Sequence, residues 1–297
     1  LEDVLADAFA QVGVEMPTPL RRINYWDAMD TYGSDKPDTR FGMEIFDLTG
    51  IVSSCGFGVF SSAVQAGGSV RGICAKNSAG VLTRKEIDKL TEYIKGIGGK
   101  GIAWIRLTED VTSSSFAKFM SEDEMSAILE RAGAEKGDVV LIIADAKNSA
   151  VLSQLGALRL LTAKKLDIIP RDKFNFLWVL EFPFFDWDEE SQEYVAMHHP
   201  FTAPMDECLK YLETDKSKVR AKAYDLVLNG TELSSGSIRI TDPELQNRIF
   251  KLLGLSEEEA NRKFGYLLEA FKYGAPPHGG MGIGLDRLVM QMLSAES

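Results

Sequence analysis

Leu1, Val4, Leu5, Ala8, Phe9 and Val12 recur at helical spacing, and Gly13 is placed to end that helix. A polar, proline-marked stretch follows at residues 32–38. From about residue 41 to 169 the texture changes. Short β-rich runs at 45–52, 70–75, 102–107 and 139–144 alternate with helical patterns. Thr83 with Glu86 reads as a capping box ahead of Ile87, Leu90 and Ile94. Ser121 with Glu124 reads as another, ahead of Met125, Ile128 and Leu129. Alternation of this kind predicts a compact α+β or α/β module.

Residues 170–173 read as a linker, and the pattern then changes again. An aromatic-rich strand is predicted over 174–182, with 194–197 as its hairpin partner across the polar turn 186–193. Two more strands are predicted at 223–228 and 237–240. Thr241 with Glu244, and Ser256 with Glu259, read as capping boxes opening two helices. A glycine-rich strand at 279–287 runs into the apolar helical stretch 288–293. The reading divides the chain into residues 1–40, 41–170 and 171–297, with no internal repeat.

A hydrophobic fraction of 45% over 297 residues is enough for one large core or two smaller ones. The net charge of −11 lacks the basic footprint of a dedicated nucleic-acid binder, although a local basic patch can act where the total is negative. Three widely spaced cysteines, Cys55, Cys74 and Cys208, form neither a disulfide framework nor a zinc spacing, and read as free thiols in a reducing cytoplasm. No apolar run is long enough to span a membrane. The lack of an initiator Met and the stop at Ser297 point to cuts at both ends.

Candidate chemistry gathers in the last third. Glycines at 280, 282 and 284 leave one strand face bare, which suits close approach by a ligand or another backbone. Arg287 beyond them suits a planar base or a polyphosphate. Taken alone, the same pattern fits a tightly packed strand–helix corner equally well.

This unit resembles motif 3 of the class II aminoacyl-tRNA synthetases. The stretches Tyr32-Gly33-Ser34-Asp35-Lys36-Pro37-Asp38, Phe182-Pro183-Phe184-Phe185, His198-His199-Pro200-Phe201-Thr202, Ala223-Tyr224-Asp225-Leu226-Val227-Leu228-Asn229-Gly230 and Lys272-Tyr273-Gly274-Ala275-Pro276-Pro277-His278-Gly279-Gly280 resemble the bacterial aspartyl-tRNA synthetases, in the same order over essentially the whole chain. The implied fold is α+β: an incomplete class II antiparallel-sheet catalytic domain carrying an inserted α+β module of the GAD type, which the family shares with the B subunit of a tRNA-dependent amidotransferase.

The resemblance implies ATP-dependent activation of L-aspartate and transfer to tRNA, with ATP and Mg²⁺ required and a homodimer expected for the intact enzyme. It implies that Arg239 reads the aspartate side-chain carboxylate and, with Arg287, serves catalysis. His198 is implied as aspartate-binding, with at most one of His198 and His199 facing the substrate if both lie on a strand. Asp225 and Glu232 are implied as magnesium ligands, and Glu232, Gly284, Leu285, Asp286 and Arg287 as ATP-binding. Leu233-Ser234-Ser235-Gly236 departs from the glycine run common in the family, and the small serines are expected to be tolerated.

Motifs 1 and 2 and the anticodon-binding domain precede the family positions matched, so this polypeptide alone is expected to be inactive. The competing readings are an asparaginyl or lysyl relative, against which the 41–169 module argues, and a non-catalytic tRNA-binding module. Against the latter stand Arg239, Glu232 and Arg287 in family register.

Overall fold

A computed structural model describes residues 1–188 and 190–295. The chain forms two compact units, Leu1–Trp26 with Phe176–Ser297, and Asp27–Asn175. The first unit opens with α1 (Glu2–Ala10) and β1 (Arg21–Asn24), followed by α2 (Tyr25–Tyr32), most of which belongs to the second unit.

The second unit continues through β2 (Phe46–Asp47), α3 (Gly58–Gln65), β3 (Ser69–Ala75), α4 (Arg84–Gly96), β4 (Ala103–Leu107), β5 (Thr112–Ser114), α5 (Glu122–Ala132), β6 (Val139–Asp145) and α6 (Asn148–Lys165). Its sheet has the order β2-β3-β6-β4-β5, antiparallel at every pairing, which makes the unit α+β. β6 is a continuous apolar run because both of its faces are covered. Val139, Leu141 and Ile143 pack with Leu90 and Ile94 of α4 and Leu155 of α6. Val140, Ile142 and Ala144 pack with Phe60 and Ile128 on the other side.

This unit begins well before the change of texture at residue 41: Ile45 N–H donates to Thr31 O, Gly33 lies against Leu152 and Gly156 of α6, and Arg159 of the same helix reaches back to Asp38. Arg159 of α6 donates to the carbonyls of Asp38, Phe41, Gly42 and Met43, and its guanidinium lies 4.1 Å from the Phe41 ring centroid. Arg40 in turn donates to Pro170 O, and Asn175 Nδ2 to Thr39 O.

Two of the four expected capping boxes form, at Ser121–Glu124 and Ser256–Glu259. Thr83 makes no side-chain cap, and the reciprocal half of the box is missing too: the Thr83 N–H donates to Val81 O, and the Glu86 carboxylate is taken by Lys89 and Lys165. At the fourth, Asp242 rather than Thr241 caps the helix, accepting from the N–H groups of Glu244 and Leu245.

The first unit resumes with β7 (Phe176–Leu180), β8 (Phe185–Asp188), β9 (Glu193–Ala196), β10 (Ala223–Leu228), β11 (Thr231–Ile238), α7 (Pro243–Leu252), α8 (Glu257–Phe271), β12 (Gly279–Ile283) and α9 (Leu285–Met292). The sheet order is β1-β7-β10-β11-β12, antiparallel except for the parallel β1–β7 pair. β9 does not pair with β7 as the sequence pattern predicts, but forms a separate ribbon with β8. Glu181, at φ +56°, and Pro183, without an N–H, end β7 before it can turn into a hairpin. β11 starts earlier than expected, directly after the two-residue turn Asn229–Gly230, where both φ values are positive as a tight hairpin of this twist requires.

Candidate active site

The β10–β11 hairpin and β12 build the floor of the site. Asp225 pairs with Ser235, and a bulge at Leu226/Val227 lets Glu232 pair with Val227, so Asp225, Glu232 and Ser235 share one face. Across the next pairing, Ser235 faces Gly282 and Ser237 faces Gly280. A Cβ added to Gly280 or Gly282 would meet nothing within 4 Å, so packing inside the chain does not demand glycine there. Gly236 differs: a Cβ would lie 2.3 Å from Gly280 O and 2.6 Å from Tyr224 Cε2.

Arg239 follows two residues after Ser237, just beyond the end of β11. Its backbone N–H donates to His278 O at 3.0 Å, and it forms an isolated bridge with Thr202. The flanking bonds from Ala203 N to Ile238 O and from Ile240 N to Phe201 O hold the 201–203 segment beside it. The Nη1 atom of Arg239 is buried and has no hydrogen-bond partner. A buried guanidinium donor left unmatched is costly, and a carboxylate matches it best.

Arg239 lines a cleft of about 610 Å³ together with His199, Ser235, His278, Gly280 and Gly282. Phe201, and Phe264, Leu267 and Phe271 of α8, supply an apolar wall. His199 Nδ1 accepts the Phe201 N–H at 3.3 Å, and the ring stacks on Phe201. Burial and then the nearby Arg239 charge push the His199 pKa down, which favours the neutral ring.

The residues singled out from sequence separate into four places. Arg239 lies in the cleft, whereas His198 is not among its lining residues. The two histidines sit in a bend after β9 rather than on a strand, and the His198 ring packs edge-on against Phe182 at 4.6 Å. Asp225 is buried within β10. Arg287, in the first turn of α9, donates to Glu232 O at 2.9 Å and lies 3.6 Å from the Glu232 carboxylate. Gly284 caps α9 and donates its N–H to Leu233 O, with Leu285 and Asp286 exposed next to it. Sequence reasoning missed His278 and the α8 wall. The wall was legible in the helical spacing of Phe264, Leu267 and Phe271 behind the Ser256 cap.

Among the described residues no three His, Cys, Asp or Glu side chains gather as a metal-binding group. Asp225 and Glu232 nevertheless offer hard oxygen donors on one face, the chemistry that magnesium takes when phosphate oxygens complete its shell. Among the same residues no helix is long and apolar enough to cross a membrane.

A family model for class II tRNA synthetases (D, K and N) matches residues 1–297. The aspartate–tRNA ligase of Ruminiclostridium cellulolyticum is 58% identical over 298 residues, covering 100% of this chain and 50% of that protein. That of Clostridium perfringens is 52% identical with the same coverage. Of the solved structures, the aspartyl tRNA synthetase from Entamoeba histolytica superposes with a TM-score of 0.33 at 16% identity, covering 98% of this chain and 54% of that one. The chain spans about half the length of the curated relatives it matches. With a family match running from its first residue to its last, the chain belongs to the class II tRNA synthetases of the D, K and N group.

Proposed function

We propose that the full-length protein activates L-aspartate with ATP and transfers it to tRNA, and that the Arg239 cleft holds the aspartate side-chain carboxylate. The observation that carries this is the buried Nη1 of Arg239, a charged donor without a partner inside a cleft. A guanidinium fork donates two parallel hydrogen bonds to a carboxylate. Asparagine would set amide donors against guanidinium donors and leave both unmatched, which accounts for selection between two side chains of nearly equal size. The neutral His199 ring adds an N–H donor beside Arg239 without a second positive charge, since its Nδ1 is already occupied as an acceptor.

The bare strand face at Gly280 and Gly282 suits a planar base. Arg287 suits the nucleotide, and Glu232 would exchange its contact with Arg287 for a role in holding Mg²⁺ together with Asp225. Bound magnesium neutralises phosphate charge. The aspartate α-carboxylate attacks the α-phosphorus and pyrophosphate leaves; a terminal ribose hydroxyl of tRNA then attacks the carbonyl of the aspartyl anhydride, loses its proton and expels AMP. Such chemistry needs positioning and charge neutralisation rather than a protein nucleophile. The second unit is proposed as the GAD-type insertion.

The test is aspartate-dependent exchange of pyrophosphate into ATP by the full-length protein. Exchange that requires aspartate supports the reading, and its absence under conditions where a known synthetase is active would sink it.

A further inference from the structure

Arg239 and the wall formed by His199 and Phe201 stand on two separate segments, 237–246 and 199–203, and the cleft keeps its width only while the two keep their spacing. Backbone bonds join them from Ala203 N–H to Ile238 O at 2.8 Å and from Ile240 N–H to Phe201 O at 2.9 Å. Two side-chain hydrogen bonds join the same segments, one on each side of Arg239. Before it, Thr202 Oγ1 donates to Ser237 Oγ at 3.2 Å. Beyond it, Gln246 Nε2 of α7 donates to Pro200 O at 2.9 Å.

Packing alone would select neither bond. Gln246 is 2% exposed and shares the buried face of α7 with Ile249 and Phe250. Phe250 packs edge-on against Phe201 at 5.6 Å. An apolar side chain of the same length suits such a face, and an amide there is costly unless it is bonded. The bond goes to the carbonyl between the two wall residues. The carbonyls of His199, Pro200 and Phe201 accept in turn from Thr202 N–H, Gln246 Nε2 and Ile240 N–H. Only the middle one is held by a side chain. Thr202 and Ser237 are buried as well, at 2% and 4% exposure, and strand alternation puts Ser237 on the same face as Ser235 of the cleft floor.

We propose that Gln246 and the Thr202–Ser237 pair are positioning residues of this cleft: they clamp the His199–Phe201 wall to the segment that carries Arg239, so that the guanidinium fork meets the side-chain carboxylate without rearrangement. The inference rests on the aspartate reading above. Both bonds act through Arg239 and the wall, and a misplacement of about 1 Å at a reacting group is enough to cost much of its effect. The bare face at Gly280 and Gly282 is held differently, by backbone pairing of β11 with β12, which these side-chain bonds leave intact. Loss of either bond therefore falls on the amino acid and not on the nucleotide.

Pyrophosphate exchange by the full-length protein tests it, with three variants. Gln246→Met keeps the length and loses the donor, Thr202→Val keeps the shape and loses the hydroxyl, and Thr202→Ser keeps the hydroxyl. The aspartate KM is expected to rise about 3- to 10-fold in Gln246→Met and in Thr202→Val, the range of one lost hydrogen bond, while the KM for ATP stays at the wild-type value. Thr202→Ser is expected to stay near wild type for both. Thermal melts check that each variant folds. Should one of the two bond-breaking variants fail to fold, the other carries the test, and failure of both would mark the bonds as structural and overturn the proposal. An unchanged aspartate KM in a folded bond-breaking variant, or an equal rise for ATP, would also overturn it while leaving the aspartate reading standing. Wild-type exchange that does not depend on aspartate would overturn both.

Discussion

Arg239 is the residue whose surroundings most resemble an unfinished contact. Its Nη1 is buried without a partner, while its backbone is fixed on both sides by His278 and the Thr202 bridge. Replacing it with Lys keeps the charge but loses the fork, and is expected to raise the aspartate KM by roughly 100-fold, as for other buried paired charges, with a smaller change in the KM for ATP. Equal changes in both would argue that Arg239 is structural. The identity of Arg239 and Arg287 as candidates was legible in the sequence through their motifs. Their difference in setting was not, because it depends on a strand pairing and on the carbonyl of Glu232, to which Arg287 donates. The separate settings of His198, whose ring packs on Phe182, and His199, which lines the cleft, likewise follow from the bend after β9.

At the scale of elements, the glycine-rich edge offers a paired prediction. Gly236→Ala drives a methyl into Gly280 O and Tyr224, and is expected to cost about 1–3 kcal/mol of stability. Gly280→Val projects into open space, so its thermal midpoint should stay near wild type while the KM for ATP rises several-fold. The reverse order would mean that the bare face serves packing and not a ligand. Caps separate in the same way. Ser121→Ala, which breaks a formed capping box, is expected to cost about 1 kcal/mol, whereas Thr83→Ala breaks no side-chain cap and should cost under about 0.5 kcal/mol. Thermal or denaturant melts measure both. Spacing alone announced four boxes, but it cannot reveal that Lys165, 79 residues away from Glu86, competes for that carboxylate. β1 and β5 escaped the sequence reading because runs of four and three residues carry too little alternation.

For the whole molecule, the second unit predicts its own acid response. Hydrogen bonds from Lys165 and then Lys89 pull Glu86 down to about 2, and Lys100 followed by the Lys147 N–H lowers Asp145. Carboxylates with depressed folded values stabilise fully above their unfolded range, near about 4, and lose that contribution as pH falls through the folded values. Residues 27–175 expressed alone are expected to melt cooperatively near neutral pH and to lose stability progressively from about pH 4.5 downward, with Glu86→Gln flattening that loss. Arg159→Ala in the same piece removes the donor to four carbonyls and should destabilise by at least about 3 kcal/mol. The change of texture along the chain announced a module, but not that residues 27–40 join it, because Arg159 reads the Asp38 carbonyl rather than a side chain.

The central claim is that Arg239 selects a carboxylate for activation. The most direct measurement is pyrophosphate exchange by the full-length protein with aspartate and with asparagine, repeated for Arg239→Leu. Exchange with aspartate alone, abolished by the substitution, is the predicted result. Exchange with asparagine, or aspartate exchange that survives Arg239→Leu, would contradict it.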